Sequence, residues 1–185
     1  MLKSHGVEVV GVDPTSALLA AARRRDLRGA YLKAMAERLP FRDETFDLVV
    51  SYLSLIDIPD IQSAVPEMAR VLRPGGRLLI ANLNSFNTAC ADSGWVKDSR
   101  GQRLYYPIDD YLQERVMWLE YRGIRILNHH RPLSRYLSLL LGAGLTLTYF
   151  DEPAPSADAP ASRAAAYARV PWFLVMEWRK PVGVR

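Results

Sequence analysis

The first half of the chain alternates short, continuously apolar runs with segments whose apolar residues recur every three or four positions. The apolar runs cover residues 8–12, 47–51 and 77–82. They are rich in β-branched and aliphatic residues, which is typical of strands that are covered on both faces. The pattern therefore predicts buried, parallel strands.

Helical periodicity follows the first two of these runs. Thr15 or Ser16 is expected to cap the first helix, and Ser63 the second, with Pro66 in its first turn. The predicted buried faces consist of Leu18, Leu19 and Ala22 in the first helix, and of Val65, Met68, Ala69 and Leu72 in the second. The Arg-Pro-Gly-Gly stretch at residues 73–76 should end the second helix. Strand–helix–strand repetition with short breaks predicts an α/β fold with a Rossmann-like, doubly wound sheet.

The alternation is lost after residue 84. Residues 86–131 mix aromatic and charged side chains, with a turn predicted at residues 99–102 and an extended segment at 120–128. We interpret this region as an insertion that pairs antiparallel or covers a cleft. A helix at 134–141, a strand at 145–150, a Pro/Ala/Ser-rich loop at 152–166 and a last strand at 172–178 are predicted beyond it.

Composition limits the class of protein. The 185 residues are 49% hydrophobic and 24% charged, as expected of a globular domain with a sizeable core. The single cysteine, Cys90, excludes an internal disulfide, and a reducing cytoplasm is the simplest expectation for its location. We expect no membrane segment, and the net charge of +4 is too small to predict a nucleic-acid partner.

Three segments in this order resemble class I S-adenosylmethionine-dependent methyltransferases of the type 11 group. They read VVGVDPT (9–15), AERLPFRDETFDLVVSYLSLIDI (36–58) and MARVLRPGGRLLIANLN (68–84). The resemblance implies a sheet whose last strand is antiparallel and S-adenosylmethionine as the cofactor. It also implies one domain over residues 1–185, with a cofactor-binding half (1–85), an insertion or substrate lid (86–131) and a C-terminal part (132–185).

The resemblance also implies a first strand and a glycine-rich loop ahead of the strand that ends at Asp13, and we find neither in residues 1–6. We expect the strands next to that place to have unpaired edges, which favour association or alternative pairing. We also expect cofactor binding by residues 1–185 to be weak or absent, and to recover when about fifty upstream residues are present, the length that the family usually allots to this strand and loop.

Asp13 follows a buried strand, where ligands bind in open α/β sheets. Its carboxylate can accept two hydrogen bonds from a ribose diol, the role that the resemblance implies. The alternative is a helix cap, since aspartate caps helices well. Pro14 is expected to fix the turn beside the cofactor.

Other cofactor contacts are implied on three segments. The family commonly has an acidic residue where this chain has Met35, which can pack on the purine face but cannot accept a strong hydrogen bond from its amino group. Backbone N–H groups near Ala36 can still contact the ring edge. Ser51 and Tyr52 are expected beside the methionine part of the cofactor, although Tyr52 is equally typical of packing at a strand end.

His129 and His130 are the candidate general bases. Neighbouring residues on a strand face opposite sides, so the pair is not expected to bind one metal ion, and we expect no metal site. One imidazole could accept a proton from the acceptor, and the other would then be structural. Aromatic side chains of the same insertion are predicted to form a lid over an apolar pocket or the insertion's own core: Trp95, Tyr105, Tyr106, Trp118 and Tyr121.

The sequence therefore favours methyl transfer to a small-molecule acceptor by in-line displacement at the sulfonium methyl group. A non-catalytic protein that keeps the fold without a complete cofactor site is the alternative, favoured by Met35 and by the missing loop. A nicotinamide dehydrogenase shares the acidic residue at the strand end, but the segments at 39–50 and 72–76 argue against it.

Overall fold

A computed structural model describes residues 6–90, 94–121 and 124–183. Strands and helices alternate up to residue 83 except that β3 follows β2 without a helix, and two hairpins follow before the last helices and strands. In the described residues the elements are β1 (Val10–Asp13), α1 (Ser16–Arg25), β2 (Ala30–Lys33), β3 (Phe46–Tyr52), α2 (Ile61–Val71), β4 (Leu72–Leu83), α3 (Ser85–Ala89), β5 (Val96–Lys97), β6 (Arg103–Tyr105), β7 (Arg115–Tyr121), β8 (Ile124–His130), α4 (Leu133–Gly142), β9 (Thr146–Asp151), α5 (Ala161–Arg169) and β10 (Phe173–Arg179).

The main sheet has the strand order β3-β4-β10-β9. β3 and β4 are parallel, with Val50 opposite Leu79, and α2 connects them. β10 is antiparallel to both of its neighbours, so the expected antiparallel last strand is confirmed. The predicted Rossmann-like α/β class is confirmed as well. β1 and β2 form a separate parallel pair around α1.

Two strands, β1 and β3, each have one edge without a hydrogen-bonded neighbour among the described residues. Among the described residues, β1 pairs only with β2, and β3 pairs only with β4. Apolar or aromatic side chains on these strands are exposed: Val10 by 40%, Val50 by 48% and Tyr52 by 71%. Both open edges agree with the unpaired strands expected from the sequence.

The hydrophobic core lies where α2 and α4 pack against one face of the main sheet. The predicted stripe of α2 is confirmed, because Val65, Met68, Ala69 and Leu72 are all buried. From the sheet, Leu78, Ile80, Met176 and Trp178 join this core. None of the helices in the described ranges is both long and apolar enough to cross a membrane.

Some predicted boundaries are wrong. Asp60, not Ser63, caps α2, because its carboxylate accepts the N–H groups of Gln62 and Ser63. Pro66 therefore lies in the second turn, not the first. Thr15 does occupy the cap position of α1, but its side chain makes no capping hydrogen bond.

Two further elements differ from the sequence-based expectation. β4 begins at Leu72, so the Arg-Pro-Gly-Gly stretch lies within the strand and is not only a helix stop; Gly75 has φ of 80° there, and the pairing with β3 shifts register across the stretch. The Pro/Ala/Ser-rich segment contains α5, where an alanine-rich stretch continues as helix up to Arg169. The insertion does form antiparallel hairpins, β5–β6 and β7–β8, as predicted.

Candidate functional site

Asp13 stands at the carboxyl end of β1, the place expected for a ligand-binding acid. Its Oδ1 accepts the backbone N–H of Thr15 over 2.7 Å, which stabilises the turn into α1. Within the described part of the chain, no hydrogen bond to Oδ2 is found, and the residue is half-buried. One oxygen thus serves the turn, and the other can accept a hydrogen bond from a ligand. Pro14 is exposed between Asp13 and Thr15 and constrains the turn.

Met35 and Ala36 follow β2 directly. Met35 is 50% exposed, and its carbonyl oxygen accepts the N–H of Arg38 over 3.2 Å in a tight turn. Ala36 packs against the edge of the hydrophobic core. The pair therefore offers an apolar surface at the start of a loop. This surface is better suited to pack on the face of an aromatic ring than to bind an amino group carried by that ring.

Ser51 and Tyr52 end β3 in opposite environments. The Ser51 side chain is buried, and its Oγ lies 2.7 Å from Oγ of Ser54. Tyr52 is exposed, so it does not pack at the strand end. Leu53 next to it has φ of 51° and donates its N–H to the carbonyl oxygen of Ala81. This left-handed residue turns the chain sharply away from the strand.

His130 is a structural histidine in this fold. It is fully buried, with Nδ1 2.7 Å from the Thr88 hydroxyl and Nε2 2.8 Å from the carbonyl oxygen of Tyr111. In the neutral ring, Nε2–H donates to Tyr111, and Nδ1 accepts from Thr88. Burial lowers the pKa of His130 below its usual value. With both nitrogens engaged inside the protein, His130 is not placed to accept a proton from a ligand.

His129 lies on the opposite face of β8, as expected of adjacent strand residues. Its backbone N–H donates to the carbonyl oxygen of Ile56, four residues beyond the end of β3. This bond brings His129 to the same end of the main sheet as Ser51 and Tyr52. Its Nε2 is shielded from solvent and has no hydrogen-bond partner in the structure, and burial lowers its pKa. His129 is therefore the better placed of the two candidate bases.

The segment after β3 is held by residues that the sequence did not single out. Arg131 is buried and donates to the carbonyl oxygens of Leu55, Ile58 and Pro59 at 2.8–3.0 Å. Asn128 donates to the carboxylate of Asp57 over 2.8 Å. Sequence periodicity identifies neither residue, because each binds a loop that lies more than seventy residues away along the chain.

The aromatic residues of the insertion divide into two groups. Trp95 and Tyr106 pack edge to face, and the Tyr106 hydroxyl donates to Asn87, as in the insertion's own core. Tyr105 and Trp118 are each 58% exposed, and the Arg125 guanidinium stacks on Trp118 at 4.3 Å. The side chain of Tyr121 lies outside the described residues. A lid role for the exposed group stays a prediction.

Throughout the described ranges, no three histidine, cysteine, aspartate or glutamate side chains are grouped closely enough to hold a metal ion. The candidate site residues are Asp13, the 35–36 surface, the end of β3 and His129.

The chain is similar in sequence and fold to known methyltransferases. Residues 1–80 match the family model described as a methyltransferase domain. A malonyl-[acyl-carrier protein] O-methyltransferase of Enterobacter lignolyticus is 38% identical over 91 residues, which cover 49% of this chain and 34% of the relative. A demethylmenaquinone methyltransferase of Thermus thermophilus is 43% identical over 86 residues, 43% of this chain and 39% of the relative. The chain matches little more than a third of the length of these curated relatives.

Solved structures match over nearly the whole chain. An S-adenosylmethionine-dependent methyltransferase of Mesorhizobium loti is 28% identical, with a TM-score of 0.82 over 96% of this chain and 83% of that one. A Listeria monocytogenes structure described with the same activity is 22% identical and shares the fold, with a TM-score of 0.86 over 96% of this chain and 82% of that one.

Proposed function

We propose that the chain is a class I S-adenosylmethionine-dependent methyltransferase that methylates a small-molecule acceptor, since residues 1–80 match a methyltransferase domain and the fold is similar to that of such enzymes. The observation that carries the proposal is the position of Asp13: a half-buried carboxylate at a strand's carboxyl end, with one oxygen left for a ribose hydroxyl. When bound, S-adenosylmethionine would supply a methyl group on a positively charged sulfur: the acceptor's nucleophile would bond to the methyl carbon in line as the carbon–sulfur bond breaks and S-adenosylhomocysteine leaves.

The residues of this chain hold the reactants. Asp13 accepts a hydrogen bond from the ribose, the Met35–Ala36 surface covers the purine, and the end of β3 borders the methionine part. In-line displacement needs few charged groups, because alignment and exclusion of water supply most of the rate. The buried Ser51–Ser54 pair and the Arg131-bound segment give that end of the sheet a fixed shape.

His129 is the proposed proton acceptor where the acceptor's nucleophile must lose a proton. Its lowered pKa keeps the ring neutral at neutral pH, the form that can accept a proton. Because its Nε2 is shielded, binding of the acceptor has to open this face of the β7–β8 hairpin.

The acceptor is proposed to bind between the end of β3 and the insertion, at residues 86–131. Two relatives are named for acceptors of different chemistry, a malonyl group on a carrier protein and a demethylmenaquinone. The difference between these acceptors supports an acceptor site formed by the insertion, outside the cofactor half that resembles the relatives. We propose a cytoplasmic reaction with neither nucleic acid nor membrane as a partner.

The test is production of S-adenosylhomocysteine by the 185-residue chain from S-adenosylmethionine and fractionated metabolite extract. Transfer of a labelled methyl group to one fraction, lost in Asp13→Ala, is the expected result. No label transfer and no cofactor binding would favour the second candidate, a non-catalytic protein of the same fold. The observation in favour of this second candidate is the separation of β1–β2 from the main sheet.

A further inference from the structure

The loop between β2 and β3, residues 34–45, has no helix or strand of its own, yet it begins with the proposed purine surface. Twelve irregular residues would lose much conformational entropy on adopting a single shape. Most of the contacts that hold this loop come from one place, the last turn of α2 and the start of β4.

Arg70 makes five hydrogen bonds at that place. Its Nη1 donates to the carbonyl oxygen of Phe41 over 2.8 Å and to the Asp43 carboxylate over 2.7 Å, and its Nη2 donates to the carbonyl oxygen of Leu39 over 3.0 Å. Nε and Nη2 also donate to the two carboxylate oxygens of Glu67 at 2.6 and 2.8 Å. One side chain thus uses the planar fork of the guanidinium to fix three positions of the loop.

Glu67 completes the arrangement from the same face of α2. Besides orienting Arg70, its Oε2 accepts the backbone N–H of Leu39 over 2.8 Å. Leu39 is therefore held through both its N–H and its carbonyl oxygen, three residues after Ala36. Hydrogen bonding to Arg70 lowers the pKa of Glu67, so the carboxylate stays charged across the physiological range.

We propose that Arg70, oriented by Glu67, is a positioning residue that holds residues 35–41 in the conformation that binds the purine end of the cofactor. The inference rests on the proposed function, since it assigns a role in the same site. It follows from the bonds themselves: without the Arg70 side chain, the carbonyl oxygens of Leu39 and Phe41 keep no partner in the described residues. The loop is then attached to α2 only by the Leu39 N–H on Glu67 and by backbone bonds at residues 44–45.

The test compares Arg70→Gln and Arg70→Lys with the wild-type chain by calorimetric titration with S-adenosylhomocysteine. Loss of charge-assisted bonds predicts a Kd about tenfold higher for Arg70→Gln, with a partial return for Arg70→Lys, which keeps the charge without the fork. Limited trypsin digestion provides the second readout. Cleavage after the exposed Arg38 and Arg42 should be faster in Arg70→Gln.

Arg73→Gln is the matched control. Arg73 binds the Glu44 carbonyl oxygen and the Asp47 carboxylate, so it joins the start of β4 to the end of the loop and to β3 without touching residues 35–41. Its loss should leave the Kd within twofold of wild type.

Any of three results would overturn the inference. The first is an unchanged Kd in Arg70→Gln although its cleavage is faster, and the second is unchanged cleavage of Arg70→Gln after Arg38 and Arg42. The third is a rise of the Kd in Arg73→Gln that equals the rise in Arg70→Gln. Absence of binding by the wild-type chain would agree with the weak or absent binding expected for residues 1–185, and the label-transfer test would then decide the proposed function. In that case the cleavage result alone would report whether Arg70 holds the loop.

Discussion

Asp13 divides its carboxylate between the turn into α1 and a prospective ligand, which makes the two roles separable by substitution. Asp13→Asn keeps an oxygen that can accept the Thr15 N–H and removes the negative charge. We expect the melting temperature to change little and the Kd for S-adenosylhomocysteine to rise about tenfold or more, as for a lost hydrogen bond to a charged group. Calorimetric titration checks this, and a Kd equal to that of wild type would remove Asp13 from the cofactor site.

His130 makes stability depend on pH. Burial lowers its pKa in the folded chain from the usual 6.5, so the unfolded chain takes up a proton first as the pH falls. The stabilising contribution is complete above about pH 6.5 and is lost as the pH falls from there towards the folded-state pKa.

We therefore expect the melting temperature of the wild-type chain to fall between pH 7.5 and 5.5, and to fall less in His130→Gln. His129→Gln is the control, because His129 is only half-buried and should contribute a smaller part of the slope. Equal slopes in wild type and His130→Gln would show that His130 does not govern this pH range.

At the scale of elements, the β7–β8 hairpin carries the prediction for the acceptor. Trp118 is exposed on the same face of the β7–β8 hairpin as His129, as follows from the cross-strand register of the two strands. Trp118→Ala should leave the melting temperature unchanged and weaken binding of the identified acceptor about fivefold or more, as for loss of one aromatic contact. Leu27→Ala, an exposed apolar residue far along the chain from the hairpin, is the control. Unchanged acceptor binding in Trp118→Ala would exclude the hairpin as a lid.

Elements were predictable where burial determines the pattern. β3, β10 and α4 lie within two residues of their predicted bounds, because their apolar residues face a packed layer on at least one side. β2 was missed since its four residues are exposed or half-exposed. α5 was missed because Ala and Ser in a Pro-containing stretch carry little apolar signal, and only Ala166 is buried.

The site was predictable only where a residue follows directly from a strand. Asp13, Ser51 and Tyr52 could be located because the strand ends before them are visible in the sequence. The choice between His129 and His130 required the partners of each ring, which come from Thr88 and Tyr111, on different elements. Arg70 and Arg131 act on carbonyl oxygens about thirty and seventy residues away, and no local pattern records such contacts.

For the whole molecule, the open edges of β1 and β3 predict self-association. Unpaired edges with exposed apolar side chains are templates for pairing with another chain. The sedimentation coefficient of the 185-residue chain should therefore rise with concentration, and Val50→Lys should suppress the rise, because a charge on an edge strand opposes pairing. Leu27→Lys is the control, since Leu27 is 90% exposed in the turn before β2. Concentration-independent sedimentation of the wild-type chain would contradict the prediction.

Arg131 joins the hairpin side of the molecule to the backbone that continues from β3. Its three carbonyl contacts are buried, so any displacement of the segment at 55–59 displaces the start of α4 as well. A first ligand that orders this segment spares a second ligand part of the entropy of ordering it. Cofactor and acceptor should then strengthen each other's binding by the same factor, as thermodynamic linkage requires. Replacing Arg131 should therefore reduce the factor by which each ligand strengthens the binding of the other.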